Sequence, residues 1–190
     1  MRPHRGSSHN DASGPARQSA GSSAGVPVVT TYLELTDTAA LRPARPPRGA
    51  AGAAITLVDP PDGALNRRLY LEVGRDHAWT DHLARDDAWW QAHAEAVETW
   101  LLTVDGEPAG YAELEPQPDG DVEIAYFGLL TAFHGRGLGG HLLTWALRRG
   151  LELGARVRVH TCTLDGPYAL ANYEARGMRP YRREITPRPA

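Results

Sequence analysis

Residues 122–140, VEIAYFGLLTAFHGRGLGG, run from a strand-forming stretch into a glycine-studded turn that opens an amphipathic helix. This corner constrains the fold more than any other part of the chain, because Gly135, Gly137, Gly139 and Gly140 crowd the point where the helix starts. Glycine has no Cβ, so the backbone N–H groups there stay uncovered. A helix N-terminus carries roughly half a positive charge and several unpaired donors, so a phosphate placed against it gains hydrogen bonds without a basic side chain.

Length and composition narrow the class. At 190 residues, 42% hydrophobic and 23% charged, the chain supports one globular domain with a real core. A net charge of -3 implies no broad basic surface for nucleic acid. The basic residues are all arginine, which reads as compositional bias. Cys162, the one cysteine, excludes an internal disulfide framework and a CxxC metal site, and fits a reducing compartment. No apolar run approaches the roughly 18 residues needed to span a bilayer, and the N-terminus lacks an apolar signal-peptide core. The expectation is a cytoplasmic protein with no nucleic-acid partner, no membrane partner and no metal.

Residues 1–25 are Ser, Gly, Pro and Ala with almost no large apolar side chains, so the sequence predicts a disordered tail, a domain over 26–185 and a short C-terminal tail at 186–190. Strands are expected at Val26–Leu35 and Ala54–Val58, and helices at 61–73 and 87–97. The stretch 74–86 between those helices carries no clear pattern. Asp105-Gly106 between TWLLTV and AGYAEL is a strong hairpin signal. A second turn, PQPDGD, leads into VEIAYFGLL, which completes an antiparallel meander ending at the glycine corner. The next helix places Leu138, Leu142, Leu143, Ala146, Leu147 and Leu151 on one stripe, with His141, Thr144, Arg148 and Glu152 facing away and Gly154 as its cap. RVRVHTC is then expected to return parallel to the strand before the corner. Pro167 starts a last helix, Gly177 ends it, and MRPYRRE closes as a strand.

Gly135, Gly137 and Gly140 satisfy G-x-G-x-x-G, a weak signal in a chain with 20 glycines. A dinucleotide site needs an acid about 20 residues further on, at the end of the following strand. Here that strand ends in His160, Thr161 and Cys162, and too little chain remains for a second mononucleotide half.

The segment Thr163–Tyr181, TLDGPYALANYEARGMRPY, follows the corner by one strand. With both segments in view, residues from about 98 to 184 resemble the GNAT superfamily of N-acetyltransferases. The family's pyrophosphate motif Q/R-x-x-G-x-G/A is matched by His134-Gly135-Arg136-Gly137-Leu138-Gly139 from the glycines onward, with His134 in place of Gln or Arg. Its later motif, N-x-x-A-x-x-x-Y-x-x-x-G-F, is matched at Ala169, Tyr173 and Gly177, with Met178 for Phe. Gly166 falls where an Asn usually meets the pantetheine arm, so Asp165 is the nearest side-chain substitute.

The resemblance implies an α/β fold, a GNAT-like mixed, twisted sheet with helices on both faces in a single domain. It implies acetyl-CoA as co-substrate, held by residues 134–140, including Gly140, between the strands at 122–130 and 156–162. A backbone N–H near Leu129 or Leu130 would meet the carbonyl oxygen, where family members splay the strand with a bulge. The implied reaction is direct attack of a primary amine, small-molecule or peptide, on the thioester, and a homodimer is an assembly the reading allows.

Amine transfer needs a proton acceptor. A primary amine with a pKa near 10.4 is almost wholly protonated at pH 7, and removing the proton costs about 4.6 kcal/mol. Glu123 lies on the strand that carries the family's bases, on the face read as shared with Ala125 and Phe127, where apolar neighbours would raise its pKa; an exposed strand-start glutamate is the alternative. Tyr173 matches the family tyrosine that protonates the leaving thiolate, and a core-filling helix tyrosine is its alternative. A catalytically silent acyl-CoA-binding module, sensing or regulatory, is the rival from another class. His77, Asp81 and His82 have no standard metal spacing. Trp79, Trp89 and Trp90 lie on the acceptor side as a packing or cation-holding wall, and Glu113 and Glu115 alternate on a neighbouring strand, to bind a cation or face solvent. Cys162 reads as an inert thiol.

Overall fold

The computed structural model describes residues 25–47, 52–77 and 79–188. The expected N-terminal tail up to residue 24 and the last two residues lie outside them. Among the described residues seven strands form one sheet: β1 (Gly25–Leu35), β2 (Ala53–Leu57), β3 (Glu98–Val104), β4 (Glu107–Pro116), β5 (Val122–Leu129), β6 (Val157–Cys162) and β7 (Arg179–Arg188). Four α-helices join them: α1 (Gly63–Gly74), α2 (Asp87–Ala96), α3 (Leu138–Leu153) and α4 (Ala169–Ala175). β7 runs past residue 185, where the domain was expected to end.

The strands lie in the order β2-β3-β4-β5-β6-β1-β7. All neighbours are antiparallel except β5 and β6, which are parallel as the crossover length requires. The sequence pattern gave β1 no position; it pairs with both β6 and β7.

Local chemistry accounts for the elements. Asp105 and Gly106 both have positive φ, 52° and 86°, the conformation of a tight turn whose twist matches its flanking strands. Asp62 and Asp86 cap α1 and α2, accepting from the N–H groups of Leu65 and Trp89. α1 buries Asn66, Leu69, Tyr70 and Val73, and α2 buries Trp90 and Ala94, on one face of the sheet. On the other face α3 buries Leu138, Leu142, Leu143, Ala146 and Leu147 in the main core, with Tyr173 from α4. Thr144 was expected to face solvent, yet it is buried: its hydroxyl donates to the Gly140 carbonyl and accepts from the Ala44 N–H. The reason is the segment after β1, of which Ala44 and Pro47 lie against the start of α3 and cover that side of the helix. Among the described residues no helix is long and apolar enough to cross a membrane.

Candidate functional site

β5 and β6 pair only at Val122 with Val157 and Glu123 with Arg158. Arginines and acids clamp that end: Arg156 binds Asp121 at 2.6 Å and Glu34 at 2.9 Å. Beyond it the ladder stops and the two strands part. β5 also carries a bulge, since Glu113 opposes Tyr126 while Leu114 opposes Ile124, leaving Ala125 unpaired. The irregularity thus sits at Ala125, not at Leu129 or Leu130 as expected. It also breaks the alternation of faces. Phe127 opposes Ala112 in the α3-side core, so it does not share a face with Glu123 as the sequence suggested. Glu123 instead shares its face with Glu115, Glu113 and Tyr126.

Of the two expected backbone donors, Leu130 is committed: its N–H donates to the Ala109 carbonyl at 2.9 Å. Antiparallel alternation then turns the Leu129 N–H away from β4, toward the space where β5 and β6 have parted. His134 donates from Nε2 to the Leu129 carbonyl at 3.1 Å, which ties the glycine corner to the end of β5.

The corner itself is built by conformation. Gly135 and Gly137 have φ of 74° and 77°, a region that L-residues with side chains avoid. Gly137 is the N-cap of α3 and has no side chain to cap it, so the N–H groups of the first turn, from Leu138 through Gly140, face outward without a capping acceptor. A short turn of 3-10 helix, Thr131–Phe133, connects β5 to this loop, and the Arg136 guanidinium lies over the Phe133 ring.

Asn172 on α4 and Arg176 at its C-cap, both missed by sequence reasoning, converge on the same place. Asn172 lies beside Gly139 and Gly140, and the Arg176 guanidinium packs against Gly140. Among the described residues the buried Nε of Arg176 has no partner, and its Nη1 makes only a long 3.4 Å bond to Asn172 Oδ1. The β1–β2 connection closes the far side, with Ala44 against Gly140 and Pro47 against Gly137. A guanidinium facing a positive helix terminus without a carboxylate is an arrangement that an anion completes. These residues fit a pyrophosphate.

Asp165, proposed as a substitute for the pantetheine-contacting Asn, is engaged locally: its carboxylate accepts from Thr161 Oγ1 at 2.6 Å and from the Cys162 N–H at 2.8 Å. It shapes the turn after β6. Tyr173 is almost fully buried, its ring 6.0 Å from that of Phe127. Burial, reinforced by the Asp165 charge, pushes its phenol well above the usual value.

Glu123 differs from expectation in its electrostatics. It binds His160 Nδ1 at 3.3 Å, and that hydrogen bond, opposed by partial burial and helped by the charges of His160 and Arg158, lowers its pKa instead of raising it. The same bond raises the pKa of His160. Glu123 also lines a surface cavity of about 320 Å³ with Tyr32, Arg158, Val159, Tyr181 and Arg182.

Above β4 and β5 on the α1–α2 face lies a cluster of rings. Tyr126 stands 5.2 Å from both Tyr70 and Trp79, and Trp89 stacks on His93 with 5° between planes. His82 belongs to this cluster, at 4.5 Å from Trp89. Among the described residues no group of three or more metal-ligating side chains assembles. Glu113, read as a possible solvent-facing residue, is fully buried beneath the rings. His93 had no place in the sequence reading. Its position one turn after Trp89 and Trp90 on a helix capped by Asp86 was the signal that it points inward.

A mixed sheet parted between two parallel strands, with an uncapped glycine-led helix at the mouth, defines an acyltransferase scaffold of the GNAT type. The chain belongs to the GNAT family of acetyltransferases: the profile described as Acetyltransferase (GNAT) family matches residues 65–178. Solved structures agree in fold. A GCN5-related N-acetyltransferase from Kribbella flavida aligns with a TM-score of 0.61 at 20% identity, over 85% of this chain and 58% of that one. One from Sphaerobacter thermophilus gives 0.59 at 16%, over 85% and 51%. A tandem GNAT protein from the clavulanic acid biosynthesis pathway gives 0.53 at 18%, over 85% and 53%. The chain therefore spans little more than half the length of these structures. No curated protein matches it.

Proposed function

We propose that the protein transfers the acetyl group of acetyl-CoA to a primary amine by direct attack on the thioester. The observation that carries this reading is the convergence of the uncapped α3 terminus, the Arg176 guanidinium, whose Nε has no partner among the described residues, and the parted β5–β6 pair on one opening. The first-turn N–H groups and Arg176 suit the pyrophosphate, and the Leu129 N–H is turned toward the carbonyl oxygen of a thioester lying between the strands. Glu123, held ionised by His160, draws the ammonium form of an amine to the point where the strands part and is a candidate to take its proton. Tyr173 is the candidate acid for the departing thiolate. The phenol is protonated at neutral pH in any case, so its match to the motif and not its raised pKa supports the role; burial makes the proton harder to give up.

The test is Tyr173→Phe. Acetyl transfer, followed by thiol release, should slow on the order of 100-fold while calorimetric affinity for coenzyme A stays intact. Wild-type protein that binds acetyl-CoA but acetylates nothing across a broad amine panel would establish the silent binding module instead.

A further inference from the structure

The α1–α2 face holds a second carboxylate–imidazole pair, built with more care than Glu123 and His160. Asn66 is fully buried, and its amide nitrogen donates at 2.8 Å both to Thr99 Oγ1 and to Glu113 Oε1. Two donations from one NH₂ group fix the orientation of the amide, and the amide fixes the carboxylate. The other oxygen of Glu113, Oε2, accepts from His93 Nε2 at 2.6 Å. Thr99, Asn66 and Glu113 are buried, whereas the side chain of His93 retains 14% exposure, so the chain of bonds starts in the core and ends on an imidazole at the edge of solvent.

Placement adds to this. Tyr126 is the cross-strand neighbour of Glu113 and the first residue past the bulge at Ala125, and its ring lies 5.9 Å from that of His93. The imidazole therefore stands over β5 at the level where β5 and β6 part. Trp89 stacked on one side and Trp90 set edge-on at 5.9 Å hold the ring in plane. With Nε2 engaged by Glu113, Nδ1 is left as the proton-accepting nitrogen, and it has no partner among the described residues.

We propose that His93 is the general base of the transfer and that Glu113, with Asn66 behind it, is its positioning residue. The inference rests on the acetyl-transfer reading and assigns the proton to His93 where Glu123 was the candidate. Nδ1 takes one proton from the bound ammonium group. The freed nitrogen lone pair forms the C–N bond to the thioester carbon, the C–S bond breaks as Tyr173 gives its phenol proton to the sulfur, and the second nitrogen proton passes through water to restore that phenol. The products are the amide, coenzyme A thiol and a proton that His93 returns to water. Burial alone would pull the pKa of His93 down, but the hydrogen bond and charge of Glu113, with the charge of Glu115, outweigh it and the net direction is up. Facing His93 are Glu113 and Glu115 from β4, Tyr126 from β5, and His82 from the segment before α2. Activity should accordingly rise with pH through a value above the ordinary 6.5 of an imidazole.

The experiment is a pH profile of kcat/KM for transfer from acetyl-CoA to 2-phenylethylamine, ethanolamine and a lysine tripeptide, with wild type, His93→Gln, Glu113→Gln and Glu123→Gln. Glutamine's amide retains a donor for Glu113 but offers no proton-accepting nitrogen. His93→Gln should lose on the order of 100-fold or more in kcat, keep its KM for acetyl-CoA and lose the acid limb. Glu113→Gln should move that limb to lower pH. If His93→Gln does not fold, the wild type decides: the acid limb must coincide with titration of the His93 ring seen by NMR. A His93→Gln protein with wild-type rate and an intact limb, or a limb that ignores the ring's titration, overturns the assignment. A wild type that binds acetyl-CoA yet acetylates none of the three amines overturns the transfer reading, and this one with it.

Discussion

Arg176 holds its guanidinium against the backbone of Gly140, so close that a Cβ on Gly140 would collide with Nη1. Two positive groups are thus brought together at the mouth of the site, and the buried Nε has no partner among the described residues. If a phosphate completes this arrangement, Arg176→Ala removes one charge-assisted hydrogen bond, worth about 1.5–3 kcal/mol. Affinity for acetyl-CoA should fall roughly 10- to 100-fold. S-acetylpantetheine, which has no pyrophosphate, should be used as well as before. Equal losses for both carriers would refute the role.

The corner glycines should separate by sign. Gly135 and Gly137 lie at positive φ, and a Cβ on Gly135 meets nothing within 4 Å, so alanine there is penalised by conformation alone, about 1–2 kcal/mol. Gly139 is in the helix, and a Cβ on it would sit in ordinary contact, 3.6 Å from Leu129 Cδ1. Gly139→Ala should therefore stabilise the protein by about 0.5–1 kcal/mol. Urea unfolding of the three variants measures this, and a Gly135→Ala protein as stable as wild type would contradict it.

Glu123 and His160 predict a window of pH. Glu123 has a folded pKa below its ordinary 4.5, so its contribution is present above that value and fades as pH falls through the folded pKa. His160 has a folded pKa above its ordinary 6.5, so its contribution is complete below 6.5 and fades as pH rises through the folded value. The pair supports the fold best between those two ordinary values, and modestly, because both side chains are partly exposed. Glu123→Gln should lower the NMR titration midpoint of His160. An unmoved midpoint would show that the contact does not persist in solution.

Thr144 anchors the segment after β1 that lies against the start of α3. Thr144→Val would leave the Ala44 N–H without its acceptor, at about 1–3 kcal/mol, while Thr144→Ser keeps the bond. Thermal unfolding of the two variants should differ accordingly. Equal melting temperatures would mean the segment is held by other contacts.

What the sequence revealed was local, and what it hid was long-range. The Asp105-Gly106 turn, the Leu138–Leu147 stripe and the place of the glycine corner are each dictated by neighbours a few residues away, and each was legible; the positive φ of Gly135 and Gly137 came only with the structure. The bulge at Ala125 has no glycine or proline to mark it; it arises from how β4 and β5 fit, and it moved Phe127 to the far face. Asp165, the neighbour of the motif position that Gly166 occupies, is claimed by the N–H of Cys162 three residues back. His93 and Glu113 are 20 residues apart and meet only because α2 packs on β4. Thr144 could not be placed because the segment that buries it, 100 residues away, has no periodic pattern.

The position of β1 carries a consequence for assembly. Its partners, β6 and β7, lie far downstream in the sequence. During synthesis β1 emerges long before its partners and must wait, its edges unsatisfied, until β6 and β7 have left the ribosome. The wall beside the β5–β6 opening is therefore completed only when β6 and β7 arrive, and a nascent chain halted before β6 would have no site to offer.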